Sequence, residues 1–476
     1  KVHNHSWPRP DVLDYLYPHK DPDRQSLFSG YNFILPIEEI SAKENREIIL
    51  CAELKSGETV QQSLGTIELL PGNNRRPVTA QWPGDGPKVA ICMATYNPAR
   101  ELLKQQIESI IAQDHENWVC IITDDSTNSV SREDILDLVE HDSRFIYVKN
   151  EERKGFYGNF EECLSRVPAD ADFVALADQD DCWDEDKLST LIASIEEGHK
   201  LVFSDCRIAS GGKVLSQTYW SHRENHYRDF EATFIANVVT GAASLFRADV
   251  LEYVLPFPQK LLDVFHDHWI ALVSDLQGGI TYVDRPLYNY NQHADNVIGQ
   301  VAERYGGVGQ SVKELLKGSS NKRRLFEIAR KLTHHASAAF PGLIEKAIFG
   351  ETLKLRVTQI PERKLRVLNN YLAGTKGFAG AARLKLSAAI KKRKSTLNVE
   401  GYLLNVVMGI RARNMLYRIW RRRLLARDRG LAHSAAPSTN LVGTPDAEDL
   451  ASSWIFHSIK PLKLRVSKRE PKRINV

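Results

Sequence analysis

The sequence lacks the features that mark membrane-spanning, zinc-finger and disulfide-rich proteins. Its 476 residues include only six cysteines and three methionines, and the cysteines show none of the paired short spacings of zinc or disulfide frameworks. The longest apolar runs, YLLNVVMGI and VTGAASLF, are far shorter than the ~20 residues that a membrane-spanning helix needs. We therefore expect reduced, buried thiols at Cys92, Cys120 and Cys206, and a cytoplasmic location.

A secretory signal, an initiator methionine and internal repeats are also missing. The absence of an initiator methionine indicates a processed or truncated chain. The length exceeds what one hydrophobic core usually supports, so we expect two or three domains.

The net charge of +3 conceals an uneven distribution. Residues 1–350 carry a net charge of −16 and residues 351–430 a net charge of +16. An acidic body therefore bears a basic C-terminal segment. Leu, Ile, Trp and Tyr lie between the basic residues, which suits docking at an anionic membrane or a partner. A solvated helical bundle and a nucleic-acid surface are the alternatives, and the acidic body argues against nucleic acid as a partner.

The pattern divides the chain into four predicted parts. Residues 1–86 contain short β-rich runs between turns and predict a small β-sandwich-like accessory module. In residues 87–310 apolar strands alternate with helices, which predicts an α/β fold with a mostly parallel sheet flanked by helices. Residues 311–431 are basic and helical, and residues 432–476 form a tail that we expect to be poorly ordered.

In a parallel sheet, the loops that follow the strands meet at one edge, where such sheets bind ligands. The segments ATYN (94–97), TDDST (123–127) and ADQDD (177–181) each follow an apolar strand. We therefore expect these three segments to lie close together.

The third of these segments carries Asp178, Asp180 and Asp181 directly after a buried strand. Carboxylates at this density repel one another unless a cation compensates them. Mg²⁺ and Mn²⁺ take oxygen ligands and share their coordination shell with phosphates. The alternative, a helix N-cap, applies to Asp181 or Asp184 but does not account for Asp178 and Asp180.

These motifs, in this order and spacing, resemble family 2 glycosyltransferases of the GT-A fold over Lys88 to about Gly299. The resemblance implies that Thr95, Tyr96 and Asn97 border a nucleotide, and that Asp125 binds its pyrimidine ring. Asp178 and the segment KGFYGNF would also contact the nucleotide, the latter through Gly155 and Asn159. A helix N-cap for Asp124 or Asp125 and a simple glycine turn at Gly155 are the alternatives. Asp180 and Asp181 would hold Mg²⁺ or Mn²⁺.

The second half of the matched region should contact the sugars. VTGAASLFR contains Thr240 and Gly241, whose small size allows close approach of the backbone. In VFHDHWIAL the resemblance implies that Asp267 is the general base, with a helix cap as the alternative. His266, His268 and Trp269 would contact donor or acceptor sugar, and zinc binding by the two histidines is disfavoured because they lie two residues apart on a helix.

The segment YNYNQHADNVIG (288–299) is similar to the ending of rhamnosyltransferase-like members of the family. The similarity implies that Gln292 lies near the sugar or pyrophosphate, and that His293 is a metal ligand or a structural residue. It favours dTDP-rhamnose as donor and a cell-surface polysaccharide such as O-antigen as product.

The expected reaction is metal-dependent, inverting transfer of a sugar from a nucleoside diphosphate donor to a hydroxyl of a polysaccharide or lipid-linked glycan. A UDP-hexose donor and a noncatalytic glycan-assembly scaffold are the alternatives. A nucleotidyltransferase is disfavoured because ATYNPAREL lacks a glycine-rich basic loop. The basic helices could attach the protein peripherally to the inner face of the plasma membrane.

Overall fold

The computed structural model describes ten ranges of the chain. These are residues 2–7, 30–33, 44–53, 59–69, 75–221, 224–258, 265–292, 346–376, 378–391 and 463–468, together with residues 404 and 407. The chain divides into two compact units, Lys1–Gly72 with Arg413–Val476, and Asn73–Ala412. The four domain boundaries predicted from the sequence stay predictions.

The first unit contains β-strands from both ends of the chain. Its strands are β1 (Val2–Trp7), β2 (Gly30–Phe33), β3 (Glu44–Glu53), β4 (Thr59–Leu69) and β14 (Lys463–Lys468). Strands β1 and β2 form an antiparallel pair, and β3 pairs antiparallel with both β4 and β14. Strand β14 was not predicted, although Leu464 and Val466 alternate with polar residues as strands do.

The second unit is built on a nine-stranded sheet. Its strands are β5 (Val89–Thr95), β6 (Trp118–Asp124), β7 (Phe145–Lys149), β8 (Phe173–Ala177), β9 (Cys182–Trp183), β10 (Leu201–Ser210), β11 (Lys213–Ser216), β12 (Ser244–Arg247) and β13 (Ile280–Asn291). The strand order is β7-β6-β5-β8-β12-β10-β13-β9, and β11 pairs with β10.

Helices connect and cover these strands. They are α1 (Arg100–Ile111), α2 (Ser129–Val139), α3 (Gly155–Ser165), α4 (Lys187–Ser194), α5 (Phe230–Ile235), α6 (Leu251–Val254), α7 (His266–Gln277), α8 (346–356), α9 (Glu362–Lys376) and α10 (Phe378–Lys391). Helix α1 illustrates why these segments are helical and pack on the sheet. Its apolar residues Leu103, Ile107 and Ile110 recur at helical spacing, and all three are buried. None of the helices in the described part of the chain is long and apolar enough to cross a membrane.

Most strands of this sheet pair in parallel, as their continuous apolar sequences predict. Strands β5 to β8 pair in parallel, as do β10 and β13, whereas β12, β9 and β11 run in the opposite direction. Strand β6 is buried along its whole length, as strands covered on both faces should be. The predicted α/β fold with a mostly parallel sheet and flanking helices is therefore confirmed. Cys92, Cys120 and Cys206 are free and buried, as expected.

Helices α9 and α10 pack against each other through two glycines. A Cβ on Gly380 would lie 2.6 Å from the Cα of Gly374, so the two backbones approach too closely for any larger residue. Residues 411–430, the most basic part of the predicted helical region, lie outside the described residues.

Candidate active site

The three loops predicted to meet at the carboxyl edge of the sheet are joined by hydrogen bonds. The backbone N–H of Tyr96, after β5, donates to Gln179 Oε1, after β8, at 2.8 Å. Asn97, also after β5, accepts from the backbone N–H of Thr127, after β6, at 3.0 Å. Asn97 has a positive φ of 42°, a conformation that asparagine tolerates better than most residues. The predicted meeting of these loops is confirmed.

Asp125 lies buried between β6 and α3, and its carboxylate is held by groups from two elements. Asn150 Nδ2 donates to it at 2.7 Å, and the backbone N–H of Lys154 lies 3.1 and 3.0 Å from its two oxygens. Asn150 also donates to Asn159 Oδ1 at 2.8 Å, and Asn159 donates to the backbone oxygen of Thr95 at 3.0 Å. Three residues predicted to border the nucleotide therefore belong to one network, which Asn150 completes.

The neighbouring Asp124 has a structural role. Its Oδ1 accepts from Thr95 Oγ1 at 2.9 Å and from the backbone N–H of Ser126 at 2.9 Å, and its Oδ2 accepts from Tyr147 at 2.9 Å. The alternative that Asp124 or Asp125 caps the next helix is wrong. Asn128 is the N-cap of α2, and its side chain accepts from Ser131 N.

Tyr96 offers an aromatic surface at the rim of this network. The guanidinium of Arg153 lies 4.2 Å from its ring centroid, within the range of a cation–π contact. Gly155 begins α3 with a φ of +67°, which glycine adopts without strain. The glycine turn is therefore present, and contact of Gly155 with a nucleotide stays a proposal. Arg153 was not predicted as a site residue, because its contact with Tyr96 depends on how the loop before α3 folds.

The loop after β8, called the acidic loop, contains three carboxylates that are close enough to repel one another: Asp178, Asp180 and Asp181. Burial, followed by repulsion from Asp180 and Asp267, raises the pKa of Asp178 to about 7. Burial, followed by repulsion from Asp178, raises the pKa of Asp181 well above its usual range. Asn291, at the end of β13, holds this loop by donating from its backbone to Asp181 Oδ1 and from its side chain to the Asp180 carbonyl oxygen.

Neither Asp181 nor Asp184 caps the next helix, so that alternative is also wrong. Helix α4 begins at Lys187, with Asp186 at its N-cap. Asp184 forms an ion pair with Arg207 of β10. The acidic run therefore divides between a structural ion pair and the loop of Asp178, Asp180 and Asp181.

The residues present fit a hard divalent cation. Asp181 Oδ2 is buried and has no hydrogen-bond partner within the described residues, and carboxylate oxygens are ligands that Mg²⁺ and Mn²⁺ prefer. His293, the third predicted ligand, lies outside the described ranges. Among the residues that the structure describes, no group of three His, Cys, Asp or Glu side chains has the arrangement of a metal site.

Lys187 brings a buried amino group close to this loop, a contact that was not predicted from the sequence. Its side chain is fully buried, and its Nζ donates to the Ala242 carbonyl oxygen at 2.6 Å and lies 3.4 Å from the Trp183 ring centroid. Burial lowers its pKa well below the usual value, and attraction to Asp181 and Asp178 opposes that shift. Lysine is ordinarily exposed, so composition gives no signal for such a position.

Asp267 lies in the first turn of α7, where the predicted base was expected. Its Oδ1 accepts from Asn237 Nδ2 at 2.9 Å and its Oδ2 from the backbone N–H of Gly241 at 3.2 Å. Burial raises its pKa to about 6. The capping alternative is wrong, because Phe265 is the N-cap of α7. A Cβ on Gly241 would lie 3.5 Å from Asp267 Cβ and 3.6 Å from Leu176 Cδ1 of β8, so Asp267 lies close to the start of the acidic loop.

His266 is a neutral imidazole beside this carboxylate. It stacks on Phe160 of α3, with ring centroids 3.8 Å apart, and burial lowers its pKa to about 3. Neither ring nitrogen has a hydrogen-bond partner within the part of the chain that the structure describes. A Cβ on Gly241 would lie 3.1 Å from His266 Nε2, so the small residue at 241 serves the approach of this helix.

His268 and Trp269 are placed differently from the expectation. His268 contacts the Thr233 carbonyl oxygen through Nε2 at 2.7 Å and Lys346 Nζ through Nδ1 at 2.7 Å. Trp269 is fully buried, and its indole N–H donates to Val254 O at 2.9 Å. Their polar atoms are engaged by protein groups, so this geometry argues against the predicted sugar contacts and against zinc binding by His266 and His268.

Two further residues predicted for the sugar side lie at the ends of short elements. Thr240 precedes the 3-10 turn at Gly241–Ala243 and accepts a hydrogen bond from Ala243 N through its carbonyl oxygen. Gln292, just after β13, donates its backbone N–H to Ala209 O at 2.7 Å. Sugar contacts by either residue stay proposals.

Comparison with known proteins agrees with this geometry. Residues 90–255 match the family described as Glycosyl transferase family 2. The chain is 29% identical over 168 residues to a GalNAc(5)-diNAcBac-PP-undecaprenol beta-1,3-glucosyltransferase of Campylobacter jejuni, covering 35% of this chain and 53% of that relative. It is 32% identical over 130 residues to the UDP-Glc:alpha-D-GlcNAc-diphosphoundecaprenol beta-1,3-glucosyltransferase WfgD of Escherichia coli, covering 27% and 49%.

A solved structure of Staphylococcus aureus TarS 1–349 in complex with UDP-GlcNAc matches with a TM-score of 0.38 and 15% identity, covering 67% of this chain and 90% of that one. The chain spans about half the length of the two glucosyltransferases it matches. Residues 90–255 form a glycosyltransferase family 2 domain, which confirms the family predicted from the sequence. The rhamnosyltransferase-like subtype stays a prediction.

Proposed function

We propose that this protein transfers a sugar from a nucleoside diphosphate donor to a hydroxyl group of a polysaccharide or lipid-linked glycan. The observation that carries the proposal is that Asp267 and the start of the acidic loop lie on either side of Gly241. The Gly241 N–H donates to Asp267 at 3.2 Å, and a Cβ on Gly241 would lie 3.6 Å from Cδ1 of Leu176, which precedes Asp178 by two residues. A base for the acceptor and a cation site for the leaving diphosphate are the two groups that this reaction needs at one place.

The residues of the first half would bind the donor. Asp125 would accept a hydrogen bond from the pyrimidine ring, since Asn150 and the Lys154 backbone fix its orientation. Tyr96 would face the base with its exposed ring, and Arg153 above that ring would add positive charge. These contacts orient the donor before the reaction begins.

The acidic loop would hold a divalent cation through Asp180 and Asp181, with Asp178 towards the nucleotide. The cation would supply positive charge against the charge that develops on the diphosphate. Lys187 places a buried amino group beneath the same loop, and its hydrogen bond to Ala242 joins the start of α4 to the turn that bears Gly241.

Asp267 would remove the proton of the acceptor hydroxyl as that hydroxyl attacks the sugar. A carboxylate with a pKa of about 6 is ionised at neutral pH and yet basic enough to take the proton. Attack from the side opposite the diphosphate inverts the anomeric carbon, and no covalent sugar intermediate forms. His266 is neutral at this pH and would form a hydrogen bond with a sugar hydroxyl.

The finer assignments also belong to this proposal. The segment that begins at Gln292 favours dTDP-rhamnose as donor and a cell-surface polysaccharide such as O-antigen as product. UDP-glucose is the second candidate, because WfgD is named for that donor and both curated relatives are named glucosyltransferases acting on undecaprenyl-linked acceptors. A noncatalytic scaffold is disfavoured because the predicted base and metal-binding aspartates are all present. We place the protein in the cytoplasm, at the inner face of the membrane.

A thermal-shift screen tests this function directly. The ligands are dTDP, UDP, GDP and ADP with their sugars, each with and without Mn²⁺. A ligand at a hundred times its dissociation constant should raise the midpoint by about 5–10 °C, and we expect this for dTDP or UDP only when Mn²⁺ is present.

Matched variants test whether the Mn²⁺-dependent rise in thermal midpoint comes from the acidic loop. Asp180→Asn and Asp181→Asn should abolish the Mn²⁺-dependent part, whereas Asp186→Asn should keep it, since Asp186 pairs with Arg285. No shift with any nucleotide would support the scaffold, and a full shift in both loop variants would contradict the metal assignment.

A further inference from the structure

Helix α10 exposes large apolar side chains on one face. Leu386 is 60% exposed and Ile390 is 71% exposed. They lie four residues apart, which places them one above the other on the same side of the helix. Arg383, also exposed, precedes Leu386 by three residues and shares this side. Together with Arg383 they form a stripe along two turns of the helix, with the two large apolar side chains at its C-terminal end.

The opposite face of α10 packs against the rest of the protein, so the stripe is held facing the solvent. Ala381 and Leu384 are buried, and a Cβ on Gly374 of α9 would lie 2.7 Å from Leu384 Cδ1. At the end of α10, Lys391 Nζ forms ion pairs with Asp229 at 3.3 Å and Glu231 at 3.0 Å. Rotation of the helix that buried Leu386 and Ile390 would break these contacts.

The stripe lies within a strongly basic stretch of the chain. Residues 378–394 contain six Lys or Arg residues and no Asp or Glu. Lys391 is neutralised by its two acidic partners, which leaves a surplus of positive charge on and beyond the helix. An exposed apolar stripe with positive charge beside it is complementary to the headgroup region of an anionic bilayer, where both kinds of side chain find a favourable environment.

We propose that the face of α10 formed by Arg383, Leu386 and Ile390 binds the surface of an anionic lipid bilayer. The two apolar side chains enter the interface between headgroups and acyl chains, and the basic residues contact lipid phosphates. This surface is outside the catalytic site, and its action does not depend on the transfer reaction.

The surface connects to the catalytic site through a short series of contacts. Lys391 of α10 pairs with Glu231 at the start of α5. The carbonyl oxygen of Thr233, in the same helix, contacts His268, which directly follows Asp267 in α7. A bilayer at α10 is therefore two helices away from the proposed base, which suits a hydroxyl acceptor attached to a lipid.

Vesicle sedimentation tests the proposal on the full chain. The probes are vesicles of phosphatidylcholine with 30% phosphatidylglycerol and vesicles of phosphatidylcholine alone. The wild type should bind the anionic vesicles, lose binding in high salt and bind the neutral ones weakly. The double variant Leu386→Ser/Ile390→Ser should bind the anionic vesicles about tenfold more weakly, and Arg383→Glu should also weaken binding.

A matched control separates this stripe from exposed apolar surface in general. Val130 is 64% exposed on α2, a helix that also carries Glu133, Asp134 and Asp137, so Val130→Ser should leave vesicle binding unchanged. All variants should keep the wild-type thermal midpoint, because none of these side chains is buried. Donor hydrolysis in detergent-free buffer without vesicles should be equal in all variants, which keeps this test distinct from that of the proposed function.

Three outcomes would overturn the proposal. The first is wild-type affinity of the double variant for anionic vesicles. The second is equal affinity of the wild type for neutral and anionic vesicles. The third is self-association of the wild type in light scattering that the double variant abolishes while vesicle binding is absent, because the stripe would then join two copies of the chain.

Discussion

Replacement of Asp267 by asparagine gives the most demanding test of the proposed mechanism. The change keeps the shape of the side chain and removes its ability to take a proton. We expect turnover to fall by about 10²- to 10⁴-fold, the usual contribution of a general base. Donor affinity should be unchanged, because Asp267 contacts Asn237 and Gly241 rather than the network around Asp125.

The pKa of about 6 sets the pH dependence of the wild type. Asp267 must be ionised to act, and about 90% of it is ionised at pH 7 but only about 10% at pH 5. Turnover should therefore fall about tenfold between these values. The profile should be measured at saturating Mn²⁺, so that titration of Asp178 near pH 7 contributes little.

The same pKa predicts a change in stability. Burial raises the pKa of Asp267 from 3.8 to about 6, so the folded state holds the proton more tightly than the unfolded state. The resulting stabilisation is complete below pH 3.8, is lost as the pH rises through 6, and amounts to about 3 kcal/mol. The asparagine variant lacks this titration, so its stability relative to the wild type should improve by up to that amount between pH 4 and pH 8.

Two assays check these expectations. Release of nucleoside diphosphate from the donor identified in the thermal-shift screen gives the pH profile, and urea unfolding at pH 4 and pH 8 gives the stability difference. If the residual activity of Asp267→Asn kept the decline near pH 6, another group would be the base. If the stability difference were independent of pH, the buried carboxylate would not have the raised pKa from which the reasoning starts.

Three further predictions concern residues around the site. Asn150→Ala removes a donor from Asp125 and should weaken dTDP or UDP binding about tenfold; unchanged affinity in calorimetry would contradict the network. Asn97→Ala should be about 1 kcal/mol less stable than Asn97→Gly, because its positive φ suits glycine; equal urea midpoints would show that the turn relaxes. Lys187→Met should lower the thermal midpoint, because it leaves the buried Ala242 carbonyl oxygen unpaired and removes the cationic group attracted to Asp181 and Asp178. It should also lower turnover, because the turn at Gly241 loses this support; wild-type turnover would refute that positioning role.

The local sequence pattern was sufficient to predict the strands of the first half of the sheet and their parallel pairing. Strands β5 to β8 are short apolar runs with intervening amphipathic helices, and parallel pairing then placed their loops at one edge. Strand β12 has four residues and β13 includes Asp284, Arg285 and Pro286. Both depend on pairing with distant partners, and a local pattern does not contain that information.

The site likewise contains residues that local sequence pattern could predict and residues that it could not. Asp125 and Asp267 could be proposed because they directly follow an apolar strand or begin an amphipathic helix. The contrasting roles of Asp124 and Asp125 follow from the alternation of side chains along the chain at the end of β6, and only the structure shows which carboxylate is enclosed by Thr95 and Tyr147. Trp269 was misassigned because an aromatic residue beside a base can equally belong to the core.

The reversed direction of β12 has a consequence for how this protein could diversify. Because β12 runs against β8 and β10, the residues that precede it, rather than those that follow it, enter the catalytic edge. In the proposed function most donor contacts precede residue 182, whereas Asn237 and Gly241, which lie between β10 and β12, hydrogen-bond to Asp267. Under that proposal, exchange of residues 211–243 between relatives would alter acceptor choice and leave most donor contacts unchanged.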